Sequence, residues 1–92
     1  FEIIVVDNAP DTDDTKQLVA KFPHIIYTRE NRKGLDIARN KGATLASGTI
    51  VAYTDDDVIV DSNWIHTIKQ SFTDASVMAV TGLILPVSIT TK

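Results

Sequence analysis

The sequence has no cysteine among its 92 residues, and only one tryptophan and one methionine. Without cysteine the chain forms no disulfide and offers no thiolate nucleophile, which fits a reducing compartment. Nine lysines and arginines face twelve acidic residues, so the basic surface typical of nucleic-acid binding is missing. No apolar run approaches the roughly 18 residues of a membrane-spanning helix, and the first residues do not have the pattern of a signal peptide.

Length and composition predict an ordinary globular chain. A chain of 92 residues is one domain or part of one, and 43% of its residues are hydrophobic. It contains no repeat, linker or low-complexity tract that would mark an internal boundary. Because it starts inside the apolar run 3–6 and without methionine, we expect residues 1–92 to be a partial domain cut from a larger protein.

Three consecutive aspartates, Asp55, Asp56 and Asp57, follow the β-branched run 49–54. Such a run predicts a buried strand, and ligands bind at the carboxyl ends of strands in open α/β sheets. Like charges roughly 6 Å apart repel by about 3 kcal/mol at an effective dielectric of about 20, so this loop needs a cation or water. Asp55 and Asp57 have the spacing to share one hard metal ion. The ordinary alternatives are a solvated turn or a helix cap.

The rest of the chain alternates apolar strands with amphipathic helices. Predicted strands cover 3–6, 25–27, 49–54 and 77–85, and predicted helices run from Thr12 or Asp13 to about 22, over 35–46, and from Asp61 or Ser62 to 72. The apolar stripe of the middle helix is Leu35, Ala38, Gly42 and Leu45. This alternation predicts an α/β fold with a mostly parallel sheet.

A second aspartate, Asp7, also follows a predicted strand. If the two strands run parallel with aligned ends, Asp7 lies within roughly 10 Å of the acidic run. Arg39 and Asn40 are on the helix between them, where a guanidinium can neutralise phosphate. The alternative for Arg39 is an exposed side chain paired with Asp36 or Asp55.

Four segments in this order resemble the family 2 glycosyltransferases with the GT-A fold. They are Ile-Ile-Val-Val-Asp-Asn at 3–8, Ala-Arg-Asn-Lys-Gly at 38–42, Ala-Ser-Gly at 46–48 leading into Tyr-Thr-Asp-Asp-Asp, and Asp-Ser-Asn-Trp-Ile at 61–65. The resemblance extends from Glu2 to about Pro86. It implies a Rossmann-like half-domain that binds a nucleotide sugar, UDP-linked in the favoured case.

The resemblance also implies roles for individual residues. The Asp-x-Asp motif corresponds to Asp55 and Asp57, which would bind ribose and, through Mn²⁺ or Mg²⁺, the diphosphate. Asp57 is the favoured metal ligand, and Asp56 replaces either neighbour if the loop register differs. Asp7 matches the aspartate that contacts the base, and Arg39 matches an arginine near the nucleotide.

Two departures from the family pattern are visible. The family's first strand and its acceptor-binding C-terminal half have no counterpart, and its catalytic base lies beyond the matched region. Neither His24 nor His66 suits the role of base, so no catalytic residue is assigned. The resemblance therefore implies a glycosyltransferase as the full-length protein, acting on a saccharide or lipid-linked saccharide in the cytoplasm or at the inner face of a membrane. We expect the 92-residue chain alone to be inactive.

The absent first strand would lie between the strand ending at Asp7 and the strand before Asp55. We expect these two strands to close up and pair directly, since unpaired backbone groups are costly to bury. Edge pairing in a homodimer is the second alternative, and a strand pairing that differs from that of the family is the third.

Other functions remain open at this stage. In a receiver-type phosphoacceptor domain Asp55 would be phosphorylated, but the required lysine corresponds only to Lys92 at the terminus. In a haloacid-dehalogenase-type phosphatase the acidic motif would stand at the beginning of the domain. Ile59 would then occupy the last position of that motif. A structural fragment that binds no ligand is the third alternative.

Overall fold

The computed structural model describes residues 1–82 and 85. In chain order these residues form β1 (Ile3–Asn8), α1 (Asp14–Val19), β2 (Ile25–Glu30), α2 (Leu35–Leu45) and α3 (Trp64–Ser71). The chain divides into two compact units, with the division between Asp55 and Asp56. The first unit holds both strands with α1 and α2, and the second holds α3.

The sheet of the first unit consists of β1 and β2, which run parallel. Ile3 pairs with Ile25, and the register continues without a break to Asn8 opposite Glu30. The predicted fold class is confirmed: the described chain is an incomplete α/β unit in which helices flank parallel strands.

The predicted strand at 49–54 is wrong. These residues have no regular secondary structure, and Val51 and Tyr53 are 44% and 50% exposed. Apolar alternation favours a strand only where a neighbour takes up its N–H and C=O groups, and in the described chain β1 pairs with β2 alone. The expectation that this segment closes up against β1 is therefore wrong as well, while edge pairing in a homodimer stays a prediction.

The last predicted strand, 77–85, falls partly outside the described residues. Residues 77–82 and 85 are not strand, and positions 83 and 84 belong to the part that the structure does not describe.

The first helix is shorter than predicted. After Val19 the backbone tightens, because Lys21 N–H donates to the Leu18 carbonyl and Phe22 N–H to the Val19 carbonyl. These bonds span three residues, so the segment up to Phe22 is a series of turns and not α-helix. Of the apolar side chains in this stretch only Val19 is buried, whereas Leu18 and Phe22 are more than half exposed.

Helix α2 agrees with the prediction in extent but only partly in its inner face. Ala38 is buried, and a Cβ on Gly42 would lie 3.2 Å from Val6 Cγ2. Leu35 and Leu45, which were predicted to face inward, are 62% and 43% exposed. The helix therefore approaches β1 through its small residues, which let two backbones come close together.

Replacing Gly42 by valine tests this close approach. We expect Gly42→Val to lower the free energy of unfolding by about 1–3 kcal/mol, because the added methyl groups overlap Val6. Ala43→Val is the matched control, since it puts the same β-branched side chain on an exposed position of the same helix. Equal losses in the two variants, measured by urea unfolding, would contradict close packing at Gly42.

The second unit contains α3. Its N-cap is Asn63 and not Asp61 or Ser62 as predicted, and the Asn63 N–H donates to Asp61 Oδ1 at 2.8 Å. Trp64, Ile65 and Ile68 are half-buried and lie on one apolar face of this helix. None of the helices in residues 1–82 has the length and apolarity needed to cross a membrane.

Candidate functional site

The carboxyl ends of β1 and β2 bring polar side chains together at one edge of the sheet. The register places Asp7 opposite Arg29 and Asn8 opposite Glu30. The Tyr27 hydroxyl donates a hydrogen bond to Asp7 Oδ2 at 2.6 Å, and both residues are half-buried. This bond to the carboxylate, followed by partial desolvation, raises the pKa of Tyr27 above its usual value of 10.0, because losing the proton would also lose the bond.

Asn8 connects the end of β1 to the loop that leads into α2. Its Nδ2 donates to the carbonyl oxygens of Glu30 and Arg32 at 3.1 and 2.7 Å, and its Oδ1 accepts from Gly34 N–H at 3.0 Å. Gly34 is the N-cap of α2 and has a φ of 152°, a conformation that side-chain-bearing residues rarely adopt. One amide side chain thus fixes the start of this helix relative to the sheet. The sequence prediction gave Asn8 no role.

Glu30 is the buried charged residue of the described chain, at 8% exposure. Its Oε1 accepts a hydrogen bond from Arg32 Nε at 2.6 Å and forms an ion pair with Arg32 Nη2 at 2.6 Å, while the Arg32 side chain is 75% exposed. A buried carboxylate needs such a partner to avoid a large desolvation cost. Sequence reasoning missed this pair, because the predicted second strand stopped at Tyr27 and left Glu30 in a solvated turn.

Arg39 lies on α2 beside the segment that precedes the acidic run. Its Nη2 is 3.9 Å from Asp55 Oδ1, and its guanidinium carbon is 5.8 Å from the centre of the Tyr53 ring. The side chains of Arg39 and Asp55 are 49% and 62% exposed, so the pair is a weak surface ion pair. An open pocket includes Arg39 in its lining but not Asp55, and is lined by Leu35, Asp36, Arg39, Asn40 and Tyr53. The structure thus brings two predicted site residues together in the arrangement that was the alternative for Arg39, an exposed side chain paired with Asp55, and its role near a nucleotide stays a prediction.

The three aspartates of the acidic run are all exposed, and Asp56 and Asp57 form a turn. Their position in a loop with exposed carboxylates is as expected, but the strand that should precede them is absent. Within residues 1–82 and 85 no three or more His, Cys, Asp or Glu side chains gather into a group that could hold a metal. The predicted proximity of Asp7 to the acidic run stays a prediction.

Both histidines are exposed, His24 before β2 and His66 on α3. Their exposure is as expected from the sequence. That neither histidine has a catalytic role stays a prediction.

Glu2 links the start of β1 to the residues after α2. Its Oε1 accepts from Ser47 N–H at 2.7 Å and from Ser47 Oγ at 2.9 Å. The backbone bond first, and then the hydroxyl bond, lower the pKa of Glu2 below its usual value of 4.5. This stabilisation is complete above the unfolded pKa and is lost as the pH falls through the lower folded pKa.

Glu2→Gln therefore has a predictable pH dependence. The wild type should lose more stability than Glu2→Gln when urea unfolding is compared at about pH 6 and about pH 3, because only the wild type gives up this ionised acceptor. Asp11→Asn is the control, since Asp11 is exposed and its side chain makes no hydrogen bond within the described chain. A pH dependence that is the same in Glu2→Gln and the wild type would contradict the assignment.

Comparisons with known proteins extend these observations. The chain is 38% identical over 78 residues to human polypeptide N-acetylgalactosaminyltransferase 14, a match covering 78% of this chain and 14% of that protein. It is 29% identical over 83 residues to a glucosyl-dolichyl phosphate glucuronosyltransferase of Haloferax volcanii, covering 89% of this chain and 24% of that protein. A putative teichuronic acid biosynthesis glycosyltransferase of Bacillus subtilis is 35% identical over 63 residues, covering 62% and 24%.

The chain spans about a quarter or less of the length of these relatives. No solved structure matches it significantly. The family model described as glycosyl transferase family 2 matches residues 1–91, which is nearly the whole chain. The resemblance inferred from the four segments is confirmed, and the chain belongs to glycosyl transferase family 2.

Proposed function

We propose that the complete gene product transfers a glycosyl group from a nucleotide sugar to an acceptor hydroxyl, and that this chain supplies much of the donor site. The observation that carries the proposal is the family match over residues 1–91, which includes the exposed Asp55-Asp56-Asp57 run. The donor is a UDP-sugar in this proposal, and the acceptor is a saccharide or lipid-linked saccharide. The three relatives described above are named as glycosyltransferases, one of them as putative, and these names support glycosyl transfer as the reaction class.

Four residues would contact the nucleotide in this proposal. Asp7 would accept a hydrogen bond from the base, Asp55 and Asp56 would contact ribose and the diphosphate side, and Arg39 would lie near a phosphate. The weak Arg39–Asp55 pair supports this, because an ion pair that is half exposed costs little to open for a ligand.

Asp57, together with Asp55, would hold Mn²⁺ or Mg²⁺. The chemistry of the donor set fits, because both residues offer exposed carboxylate oxygens of the kind that hard cations prefer. Since the described residues offer no cluster of three acidic or imidazole ligands, the remaining ligands would be diphosphate oxygens and water, as is usual for Mg²⁺ in nucleotide sites. When bound, the ion supplies Lewis-acid stabilisation of the leaving diphosphate.

In the proposed reaction the bond from the anomeric carbon to the diphosphate oxygen breaks, and a bond to the acceptor oxygen forms. The acceptor proton passes to a base that we place outside this chain, since His24 and His66 are exposed and unsupported. The role of this chain is to bind and orient the leaving nucleotide. The proposed location is the cytoplasm, at the inner face of a membrane if the acceptor is lipid-linked.

Calorimetric titration of the complete gene product with UDP tests the proposal. We expect binding in the presence of Mn²⁺ or Mg²⁺ and loss of binding after the metal is removed with EDTA. Binding of beryllofluoride, without nucleotide binding, would instead favour a phosphoacceptor or phosphatase domain. Absence of binding to both ligands would support a structural role.

A further inference from the structure

The Tyr27 hydroxyl donates a hydrogen bond to only one of the two carboxylate oxygens of Asp7. Tyr27 pairs with Val5 in the sheet, and Asp7 lies two residues further along β1. Residues two apart on a strand share a face, so the Tyr27 side chain can reach Asp7 diagonally across the strand pair. Its hydroxyl donates to Oδ2 at 2.6 Å, a short distance that is typical of a hydroxyl bonded to a charged acceptor.

The other oxygen, Oδ1, accepts no hydrogen bond from any residue that the structure describes. An ionised aspartate can only accept hydrogen bonds. The carboxylate therefore has one oxygen anchored by the protein and one oxygen available to a ligand that carries an N–H or O–H donor.

We propose that Tyr27 is a positioning residue that sets the choice of nucleobase. By fixing Oδ2 it orients Oδ1 to accept a hydrogen bond from a ring N–H of the base. This inference rests on the proposed function, in which Asp7 contacts the base of the donor. It favours uracil, whose N3 carries a hydrogen, over cytosine, whose N3 is an acceptor and would face the carboxylate lone pairs.

The chemistry of the pair explains why tyrosine matters at this position. A phenylalanine would fill the same space beside β1 but would leave Oδ2 without its donor. The carboxylate could then rotate and turn either oxygen, or a bound water, toward the base. Affinity for uracil would fall, and so would the discrimination against cytosine, because the direction of the acceptor is no longer fixed.

The experiment compares UDP and CDP binding by the complete gene product and its Tyr27→Phe variant, with Mn²⁺ present. We expect the wild type to prefer UDP, and we expect Tyr27→Phe to weaken UDP binding about tenfold while changing CDP binding much less. Thr28→Val is the matched control, since it removes a hydroxyl from the same strand that makes no side-chain hydrogen bond in the described chain. It should leave the UDP-to-CDP ratio unchanged.

A double variant shows whether Tyr27 acts through Asp7. Once Asp7→Asn has removed the carboxylate, adding Tyr27→Phe should change UDP binding less than twofold, because the positioned group is gone. If Tyr27→Phe weakens UDP and CDP equally, or acts fully in the Asp7→Asn background, Tyr27 is only structural and the inference is overturned.

Two further results separate this inference from the proposed function. If the wild type binds no UDP, the proposed function fails and the role of Tyr27 falls with it. If the wild type binds UDP but Tyr27→Phe does not fold, fluorotyrosine at position 27 provides the test in the intact fold. A ¹⁹F shift with UDP and none with CDP would support the inference, and equal shifts would overturn it.

Discussion

Replacing Asp57 by asparagine is expected to weaken Mn²⁺-dependent UDP binding by about 100-fold or more. Changes to residues that merely support a metal ligand cost about 10–100-fold, so removing a charged ligand should cost at least as much. An amide oxygen is also a weaker partner than a carboxylate for a hard divalent cation. Calorimetry with UDP at fixed Mn²⁺ measures the effect, and Mn²⁺ titration without nucleotide measures the metal affinity alone.

Asp61→Asn is the control for this variant. It makes the same charge change four residues downstream, and its Oδ1 can still accept from Asn63 N–H. A comparable loss in this control would point to general electrostatics instead of a ligand. If Asp56→Asn has the large effect and Asp57→Asn has none, the metal ligand is the middle aspartate of the run.

Asn8→Asp is expected to lower the free energy of unfolding by about 2–3 kcal/mol. The variant keeps an oxygen for Gly34 N–H, but it replaces the Nδ2 donor by a second oxygen. That oxygen then faces the Glu30 and Arg32 carbonyls, which lose their donor and repel the added charge. Urea unfolding at neutral pH measures the loss.

The pH dependence of this variant identifies its cause. Repulsion by the two carbonyls favours the protonated form of the introduced carboxyl in the folded state, so its folded pKa lies above the unfolded value. The deficit should therefore shrink as the pH falls through that raised pKa and a donor is restored. Asn63→Asp, an exposed substitution at a cap that makes no side-chain bond, should show neither the deficit nor this recovery. A deficit that does not change with pH would contradict the hydrogen-bonding role of Asn8.

The sequence predicts the elements whose stability depends on neighbours close in the chain. Helix α2 has its start and end where the pattern placed them, because Gly34 before it and the Ala-Ser-Gly segment after it limit the helix locally. Strands β1 and β2 were also predicted, but β1 extends two residues further than predicted, so that Asp7 lies within the strand and not after it. Strand β2 extends three residues further than predicted. That extension comes from register, since pairing with β1 continues to Asn8 opposite Glu30.

The segment at 49–54 shows where such prediction stops. Its composition is as strand-like as that of β1, yet it forms no strand, since this requires a hydrogen-bonding neighbour in the right place. No local pattern carries that information. The burial of Leu35 and Leu45 was mispredicted for the same reason. Helical periodicity predicts which residues share one face of the helix, but it does not predict whether another element packs against that face.

The candidate site was predicted unevenly. The exposed aspartates and the Arg39–Asp55 proximity follow from residue type and chain order. The bonds of Asn8 join groups 22 to 26 residues apart, and the bond from Tyr27 to Asp7 spans 20 residues. Such contacts depend on which residues the strand register brings side by side, so the sequence alone did not reveal them.

The parallel pairing of β1 with β2 also has a consequence for the order of assembly during synthesis. Each paired residue is 22 positions from its partner, and closing a flexible loop of that length costs roughly 3 kcal/mol of chain entropy. The hydrogen bonds of a two-stranded sheet alone do not offset this entropy cost. Packing of α2 onto β1, with Gly42 against Val6, adds the layer that covers the sheet. We therefore expect the nascent chain to become protected only after α2, which ends at Leu45, has left the ribosome, before the acidic run emerges.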